Sequence, residues 1–180
     1  MIITTTKIKD LLIIENKKIV DSRGWFSELF RLNEFQSIAG DYKFVQCNES
    51  FSEHGVLRGI HYQSPLPQGK LVRVIQGEVF DVAVDLRKNS PTFGQWVGTT
   101  LSKENAKILW IPEFFGHGFY VSGKCAHIIY QCTNYYDPKS EHCIRFDDND
   151  LNIKWPIIGN DVKTSEKDLK GSRFIDIEPL

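Results

Sequence analysis

Three cationic side chains interrupt two apolar runs near the middle of the chain. Arg58 and His61 lie in the run Val56–Gln63, and Lys70 lies in the run Gln68–Arg73. Runs of this composition are typical of β-strands, where an unpaired charge is costly to bury. We therefore expect the three side chains to meet an anion, and a phosphate or a developing enolate fits that chemistry.

His61 is the candidate general base, because imidazole is the side chain whose unperturbed pKa lies nearest neutrality. A single histidine in a strand is more often a hydrogen-bonded structural residue, but the neighbouring Arg58 and Lys70 favour the catalytic interpretation. Lys70 itself has two interpretations. It stabilises an anion inside the site, or it lies at the strand end and extends its ammonium into water.

Tyr130 and Asp168 are candidates for the other proton-transfer roles. Tyr130 lies in the run Ala126–Cys132, where it is either a core residue with a bonded hydroxyl or an acid on the face opposite the base. Asp168 follows Ser165 by three residues, the spacing of a helix capping box. Its alternative role is to orient the imidazole of His61 and to stabilise its protonated form.

Two further segments offer binding groups. The segment Asp21–Glu28 joins a tight turn to Arg23, Phe26 and Glu28, a set that can hold a nucleotide base by stacking and hydrogen bonds. The alternative is an ordinary hairpin whose aromatic rings pack in a core. His117 supplies a second histidine to the pocket or lies in a surface turn.

A metal centre needs three or four converging ligands. The chain has five histidines, but none forms an H-x-H pair. The sequence therefore predicts no metal.

The elements that position these residues are mostly short β-type runs separated by glycine, proline, asparagine and serine. The runs are Lys43–Cys47, Leu71–Ile75, Glu78–Leu86, Trp96–Leu101, Ile108–Ile111, Gly118–Val121 and Ala126–Cys132. Their spacing predicts a mainly β sandwich or barrel. Helical turns are predicted from Asn33 to Gly40, from Ser102, and from Thr164 or Ser165.

Length, charge and cysteine content narrow the class of protein. A chain of 180 residues is expected to form one domain, residues 1–180. The net charge of -1 argues against nucleic-acid binding through bulk electrostatics, and no segment is apolar enough to span a membrane. Four cysteines without CxxC pairing, and the lack of a signal peptide, predict free thiols in the cytoplasm.

From about Ile3 to Asp168 the chain resembles the dTDP-4-dehydrorhamnose 3,5-epimerase family. Several blocks in the same order carry the resemblance. They are Asp21–Gly24, Val56–Gln63, Gln68–Arg87, Ser90–Trp96, Leu109–Pro112, Thr133–Tyr136 and Ser165–Asp168.

The resemblance implies a cupin-like jelly roll with a few short helices, and an epimerase that needs no cofactor. Such an enzyme inverts C3 and C5 of dTDP-4-dehydro-6-deoxy-D-glucose and gives dTDP-4-dehydro-L-rhamnose. The resemblance also implies the roles of the catalytic residues. His61 is the base, Asp168 its partner, Tyr130 the acid on the opposite face, and Lys70 the residue that stabilises the enolate.

The resemblance further implies how substrate is held. The residues that line the sugar and diphosphate are Gln46, Asn48, Arg58, His117 and Lys167, and Tyr136 stacks on the nucleotide. Arg23, Phe26 and Glu28 reach the nucleotide of a neighbouring subunit, which implies a homodimer.

Two alternatives stay open. One is a related epimerase that acts at a single carbon, or on another nucleotide or sugar. The other is a jelly roll that binds a sugar nucleotide without catalysis. The joint presence of His61, Tyr130 and Asp168 favours catalysis.

Overall fold

A computed structural model describes residues 2–159 and 162–180 of the chain. Among them are twelve strands, two short α-helices and a 3-10 helix. The strands are β1 Ile2–Thr5, β2 Leu12–Glu15, β3 Ile19–Asp21, β4 Gly24–Phe26, β5 Gln46–Glu53, β6 Leu57–Gln63, β7 Lys70–Asp85, β8 Trp96–Ser102, β9 Ile108–Ile111, β10 Phe115–Tyr120, β11 Cys125–Cys132 and β12 Glu141–Cys143. The helices are α1 Leu32–Ala39, α2 Glu166–Leu169 and the 3-10 helix Phe174–Asp176.

The long strand β7 belongs to both layers of the fold. Its first half pairs with β9 and β11, and its second half pairs with β8 and β10. The first layer continues through β2 and β1 on one side and β5 on the other, and the second layer continues through β6 and β12. All these pairings are antiparallel. Most of them join strands that are distant in the sequence, such as β5 with β11 and β6 with β10, so crossover connections build both layers.

A core of apolar side chains lies between the layers. Val72 and Val74 from the first half of β7 share one buried cluster with Ala83 from its second half and with Phe119 of β10. Aliphatic residues at alternate positions of a strand point to the same face, which explains how the sequence fills this core. This packed core supports the strands that carry the candidate site.

Most predicted runs correspond to strands, but some boundaries differ. The strand predicted from Gly118 begins at Phe115. The separate runs Leu71–Ile75 and Glu78–Leu86 form the single strand β7, because the ladder to β11 continues through Gln76 and Gly77. The strand predicted at Lys43 begins only at Gln46. No helix starts at Ser102, where the Asn105 side chain instead closes a turn.

The other helix predictions agree with the structure. Helix α1 is followed by Gly40, whose φ of 105° ends the helix, and α2 begins after Ser165. None of the helices in the described ranges is long and apolar enough to cross a membrane.

Candidate active site

A pocket of about 490 Å³ opens where β5, β6, β7 and β11 come together with β12 and the loop before it. This volume lies in the range of small-molecule sites. The lining residues are Gln46, Cys47, Asn48, Glu49, His61, Tyr62, Gln63, Gln68, Lys70, Tyr130, Tyr136 and Glu141. Three of the four predicted catalytic residues thus face one cavity.

The fourth, Asp168, lies directly behind His61. Its Oδ1 is 2.7 Å from His61 Nε2, and its Oδ2 accepts a hydrogen bond from Gly59 N at 3.1 Å. Burial raises the pKa of Asp168, but the hydrogen bonds from His61 and Gly59 outweigh it and keep the pKa below the usual value. Asp168 is therefore a carboxylate that can orient and stabilise the imidazole.

Helix α2 delivers this carboxylate to the strand. Ser165 caps the helix by accepting a hydrogen bond from Asp168 N at 3.1 Å, which is the serine half of the expected capping box. The Asp168 side chain does not turn back to the helix and instead reaches His61 and Gly59. The cap thus fixes the residue that holds the imidazole.

Lys70 and Tyr130 enter the pocket from neighbouring strands. Lys70 begins β7 and is only 8% exposed. Burial lowers its pKa, while the nearby Cys132 thiol and the Asp81 and Glu141 carboxylates act in the opposite direction. A buried ammonium is costly unless an anion lies beside it. Lys70 therefore does not extend into water at the strand end, as the second interpretation of this residue required.

Tyr130 lies opposite Asn48 on β5 and Val72 on β7. It packs against the core with part of its side chain and also lines the pocket. Burial raises its pKa, so the phenol keeps its proton near neutral pH. A protonated phenol can donate to a carbanion, as the acid role requires.

A second histidine and carboxylate pair lies beside the first. His117 pairs with His61 across β10 and β6, and its Nε2 is 2.9 and 3.0 Å from the two oxygens of Asp81. Asp81 is fully buried, and His117 is 9% exposed. His117 is not among the residues that line the pocket, so its predicted contact with substrate stays a prediction.

The predicted substrate-binding residues fall into three places. Gln46, Asn48 and Tyr136 line the pocket, where Gln46 donates to Asn48 Oδ1 at 3.0 Å. Arg58 and Lys167 line an adjoining depression of about 440 Å³ that also includes His61 and Glu141. The depression therefore places two cations beside the pocket, of which Lys167 is paired with Glu141.

The third group lies on and beside a separate two-stranded sheet, β3 and β4. Arg23 is in the turn between these strands, Phe26 ends β4 and Glu28 follows it. Arg23 pairs there with Asp21, while Phe26 and Glu28 line another groove. The structure does not bring these three residues to the pocket of the same chain. Their predicted role therefore depends on a second subunit.

Glu141 is a site residue that the sequence analysis missed. Its Oε2 accepts from the Tyr136 hydroxyl at 2.5 Å and pairs with Lys167, and it lines both the pocket and the depression. Burial raises its pKa, but the bonds from Lys167 and Tyr136 lower it further. A lone glutamate on a three-residue strand carries no signal of such a position.

Three side chains at the site form a grouping with metal-ligand chemistry that the sequence did not indicate. His61, Cys143 and Asp168 can bring ligand atoms within 4.8 Å of one another. Burial and the neighbouring Asp168, however, raise the pKa of Cys143 to about 12, and His61 and Asp168 already bond each other. A cation there would have to ionise the thiol and break the His61–Asp168 hydrogen bond, so this donor set fits a metal poorly.

Comparison with known proteins places this geometry in a family. The family sequence model described as dTDP-4-dehydrorhamnose 3,5-epimerase matches residues 5–176. The dTDP-4-dehydrorhamnose 3,5-epimerase of Shigella flexneri is 48% identical over 180 residues, which cover 99% of this chain and 98% of that protein.

Two solved structures are informative. The dTDP-6-deoxy-D-glucose-3,5-epimerase of Legionella pneumophila, crystallised with dTDP-4-keto-L-rhamnose, has a TM-score of 0.94 at 50% identity, over 98% of this chain and 94% of its own. A 3'-monoepimerase of Streptomyces bikiniensis, in complex with dTDP-quinovose, has a TM-score of 0.86 at 32% identity. The match covers 94% of this chain and 86% of the other chain.

These matches cover nearly the whole chain and confirm the predicted cupin-like, mainly β fold. The chain therefore belongs to the dTDP-4-dehydrorhamnose 3,5-epimerase family.

Proposed function

We propose that the chain inverts C3 and C5 of dTDP-4-dehydro-6-deoxy-D-glucose to give dTDP-4-dehydro-L-rhamnose. One observation carries the proposal: the His61–Asp168 pair faces the same pocket as Lys70 and Tyr130. These side chains supply a base, a cation and an acid around one cavity. Relatives of nearly full length carry the same activity.

The C4 ketone of the substrate acidifies the hydrogens on C3 and C5. His61 removes one of them as a proton, and the electron pair of the C–H bond moves into the enolate, whose oxygen meets the Lys70 ammonium. A contact of this kind is typically worth about 3 to 4 kcal/mol of barrier. The buried position of Lys70 strengthens it, because water does not screen the charge.

Tyr130 then gives its proton to the same carbon from the opposite face, which inverts the centre. The Asp168 carboxylate stabilises the imidazolium that holds the substrate's proton. Exchange with solvent returns both groups to their starting states before the second carbon reacts. The sum of the steps involves no change of oxidation state.

Binding of the nucleotide sugar is assigned to groups around the catalytic centre. Gln46 and Asn48 contact the sugar, Arg58 and Lys167 the diphosphate, and Tyr136 the base. The two cations in the adjoining depression support the diphosphate assignment. His117, which bonds Asp81, is also proposed to contact the sugar or diphosphate.

A homodimer completes the proposed site. The hairpin β3–β4 exposes apolar side chains at Ile19 (59%), Val20 (74%), Trp25 (55%) and Phe26 (67%). Such a group of exposed apolar residues is typical of a surface covered by a partner. In this arrangement Arg23, Phe26 and Glu28 of one subunit bind the nucleotide held by its neighbour.

We also propose a cytoplasmic location, which the unpaired cysteines support. Cys47, Cys125, Cys132 and Cys143 are all free. Free thiols, one of them beside the catalytic carboxylate, fit a reducing compartment.

The test is to incubate the protein with dTDP-4-dehydro-6-deoxy-D-glucose in deuterated water and to follow C3 and C5 by NMR. Deuterium is expected at both carbons, because each inversion replaces a carbon-bound hydrogen with one from solvent. Exchange at one carbon would favour a single-centre epimerase like the 3'-monoepimerase of Streptomyces bikiniensis. Binding without exchange at either carbon would overturn the catalytic proposal.

A further inference from the structure

The loop after β11 carries Tyr136 to the pocket, and the Gln63 side chain holds this loop on both sides of that residue. Gln63 ends β6 and is 4% exposed. Its Nε2 donates to Tyr135 O at 3.2 Å, and its Oε1 accepts from Asp137 N at 3.0 Å. A single buried amide therefore binds both neighbours of Tyr136.

The same amide also ties this loop to the proline-rich connector between β6 and β7. Nε2 donates to Leu66 O at 2.7 Å, so both of its hydrogens are engaged. Gln63 lines the pocket, but a hydrogen bond donated to a ligand would cost one of these backbone contacts. The hydrogen bonds of the Gln63 side chain are thus used to hold the loop backbone.

The beginning of the loop has its own attachments. Gln68 Nε2 donates to Asn134 O at 2.8 Å, and Gly69 N donates to Thr133 Oγ1 at 2.9 Å.

Tyr136 itself donates from its N to Gln46 Oε1 at 2.8 Å and from its hydroxyl to Glu141 Oε2 at 2.5 Å. Loss of the Gln63 amide leaves these contacts in place and removes the anchors of the backbone on both sides of Tyr136.

We infer that Gln63 is a positioning residue for nucleotide recognition, which fixes the backbone on both sides of Tyr136 so that the ring is preorganised to stack on thymine. This inference rests on the proposed contact between Tyr136 and the nucleotide. A preorganised ring loses little conformational freedom on binding, and this saving appears as affinity.

The test is a double-mutant cycle with dTDP as the ligand, measured by titration calorimetry on Gln63→Leu, Tyr136→Ala and the double variant. Stacking of a base on an aromatic ring supports a loss of about tenfold or more in affinity for Tyr136→Ala. Gln63→Leu is expected to lose a few-fold to about tenfold. The double variant should bind no more weakly than Tyr136→Ala, because the amide acts through the ring.

A second readout separates positioning from general damage to the fold. With the nucleotide sugar as substrate, Gln63→Leu should raise KM by a larger factor than it lowers kcat. Asn105→Leu is the matched control, because the Asn105 amide also makes three hydrogen bonds to the backbone but does so at the turn after β8. It should lower the melting temperature and leave dTDP affinity unchanged.

Gln63→Glu provides a variant that keeps the acceptor for Asp137 N and loses both donors, should the leucine variant fail to fold. It should show the same few-fold or greater loss of affinity and the same lack of additivity. Two results would overturn the inference about Gln63 without affecting the proposed epimerase activity. One is a loss of dTDP affinity in the double variant equal to the sum of the two single losses in binding free energy, and the other is an unchanged affinity in a folded Gln63 variant. A Tyr136→Ala variant with unchanged dTDP affinity would overturn the stacking role as well, while the exchange experiment would still report on epimerisation.

Discussion

The Asp168 carboxylate decides which nitrogen of His61 can act as the base. Asp168 accepts its hydrogen bond from Nε2, so in the neutral imidazole Nε2 carries the proton and Nδ1 carries the lone pair. When Nδ1 takes a proton, the positive charge develops 2.7 Å from a buried carboxylate. Gly59 N holds the other carboxylate oxygen, which prevents the group from rotating away.

Replacement of His61 by asparagine should separate catalysis from folding. The amide of His61→Asn cannot take a proton at neutral pH, so exchange at C3 and C5 should fall by at least about 10²-fold. The asparagine still offers an N–H toward Asp168, and dTDP affinity should stay close to that of the parent. The measurements are the NMR exchange rate, a melting curve and dTDP titration.

The expected control is Cys143→Ser, since Cys143 lies opposite His61 on β12 and is not assigned a proton-transfer role. Its exchange rate should stay far above that of His61→Asn. A His61→Asn protein that does not fold would favour the structural interpretation of the histidine, and one that exchanges at the parental rate would exclude His61 as the base.

At the residue scale, the sequence identified side chains by type and could not identify contacts between them. His61 and Lys70 were recognisable because charge is rare in apolar strands, and Tyr130 and Asp168 were candidates whose roles the family resemblance assigned. The contact of Asp168 with His61 spans 107 residues of chain, and no local pattern encodes it. Glu141 was missed because neither its contact with Tyr136, five residues earlier, nor its contact with Lys167 on α2 has a recognisable sequence pattern.

At the scale of elements, β7 depends on a glycine where it passes from one layer to the other. Gly77 has a φ of +76°, and a Cβ at this position would lie 1.7 Å from the Cys125 carbonyl oxygen. Strand β11 shows a register shift at the same level, between His127 and Ile128. The strand remains continuous because a residue without a side chain fits this close approach.

Gly77→Ala is therefore expected to destabilise the protein by more than about 2 kcal/mol, through backbone strain and the clash with β11 together. Gly159→Ala is the matched control, because Gly159 has a φ of +71° but no atom of another described residue within 4 Å of the added carbon. Gly159→Ala should lower the free energy of unfolding by only about 1 kcal/mol, the cost of placing a residue with a side chain at positive φ. Urea denaturation of both variants measures the difference, and equal losses would show that the close approach to Cys125 has no energetic cost of its own.

The same glycine explains the main difference between the predicted and observed elements. Glycine in a β-type run reads as a break, so the sequence indicated two strands where one passes through both layers. By contrast, the serine before α2 and the glycine after α1 have local roles, as cap and terminator, and local sequence predicts them well. The family, the mainly β fold and the epimerase function are confirmed by relatives that match nearly the whole chain.

At the scale of the whole molecule, one chain contains the catalytic groups but separates them from part of the proposed nucleotide site. The hairpin β3–β4 forms its own two-stranded sheet, and its Arg23 guanidinium is paired only with Asp21 of the same turn among the described residues. Aromatic and cationic groups on an exposed hairpin can bind a nucleotide only if a second surface provides the rest of the site. A symmetric dimer provides two such sites, because each hairpin then faces the pocket of the other subunit.

A heterodimer of two impaired chains tests this arrangement. One chain carries His61→Asn with an intact hairpin, and the other carries Arg23→Ala and Phe26→Ala with an intact His61; two different affinity tags allow the mixed dimer to be purified. If the hairpin serves the neighbouring subunit, one of the two sites combines a normal His61 with a normal hairpin, and the heterodimer should recover about half of the parental rate. Each homodimer should stay weak, the first in kcat and the second through a raised KM. A heterodimer no faster than the mean of the two homodimers, or a parent chain that is monomeric by light scattering at assay concentration, would show that the hairpin does not complete a partner's site.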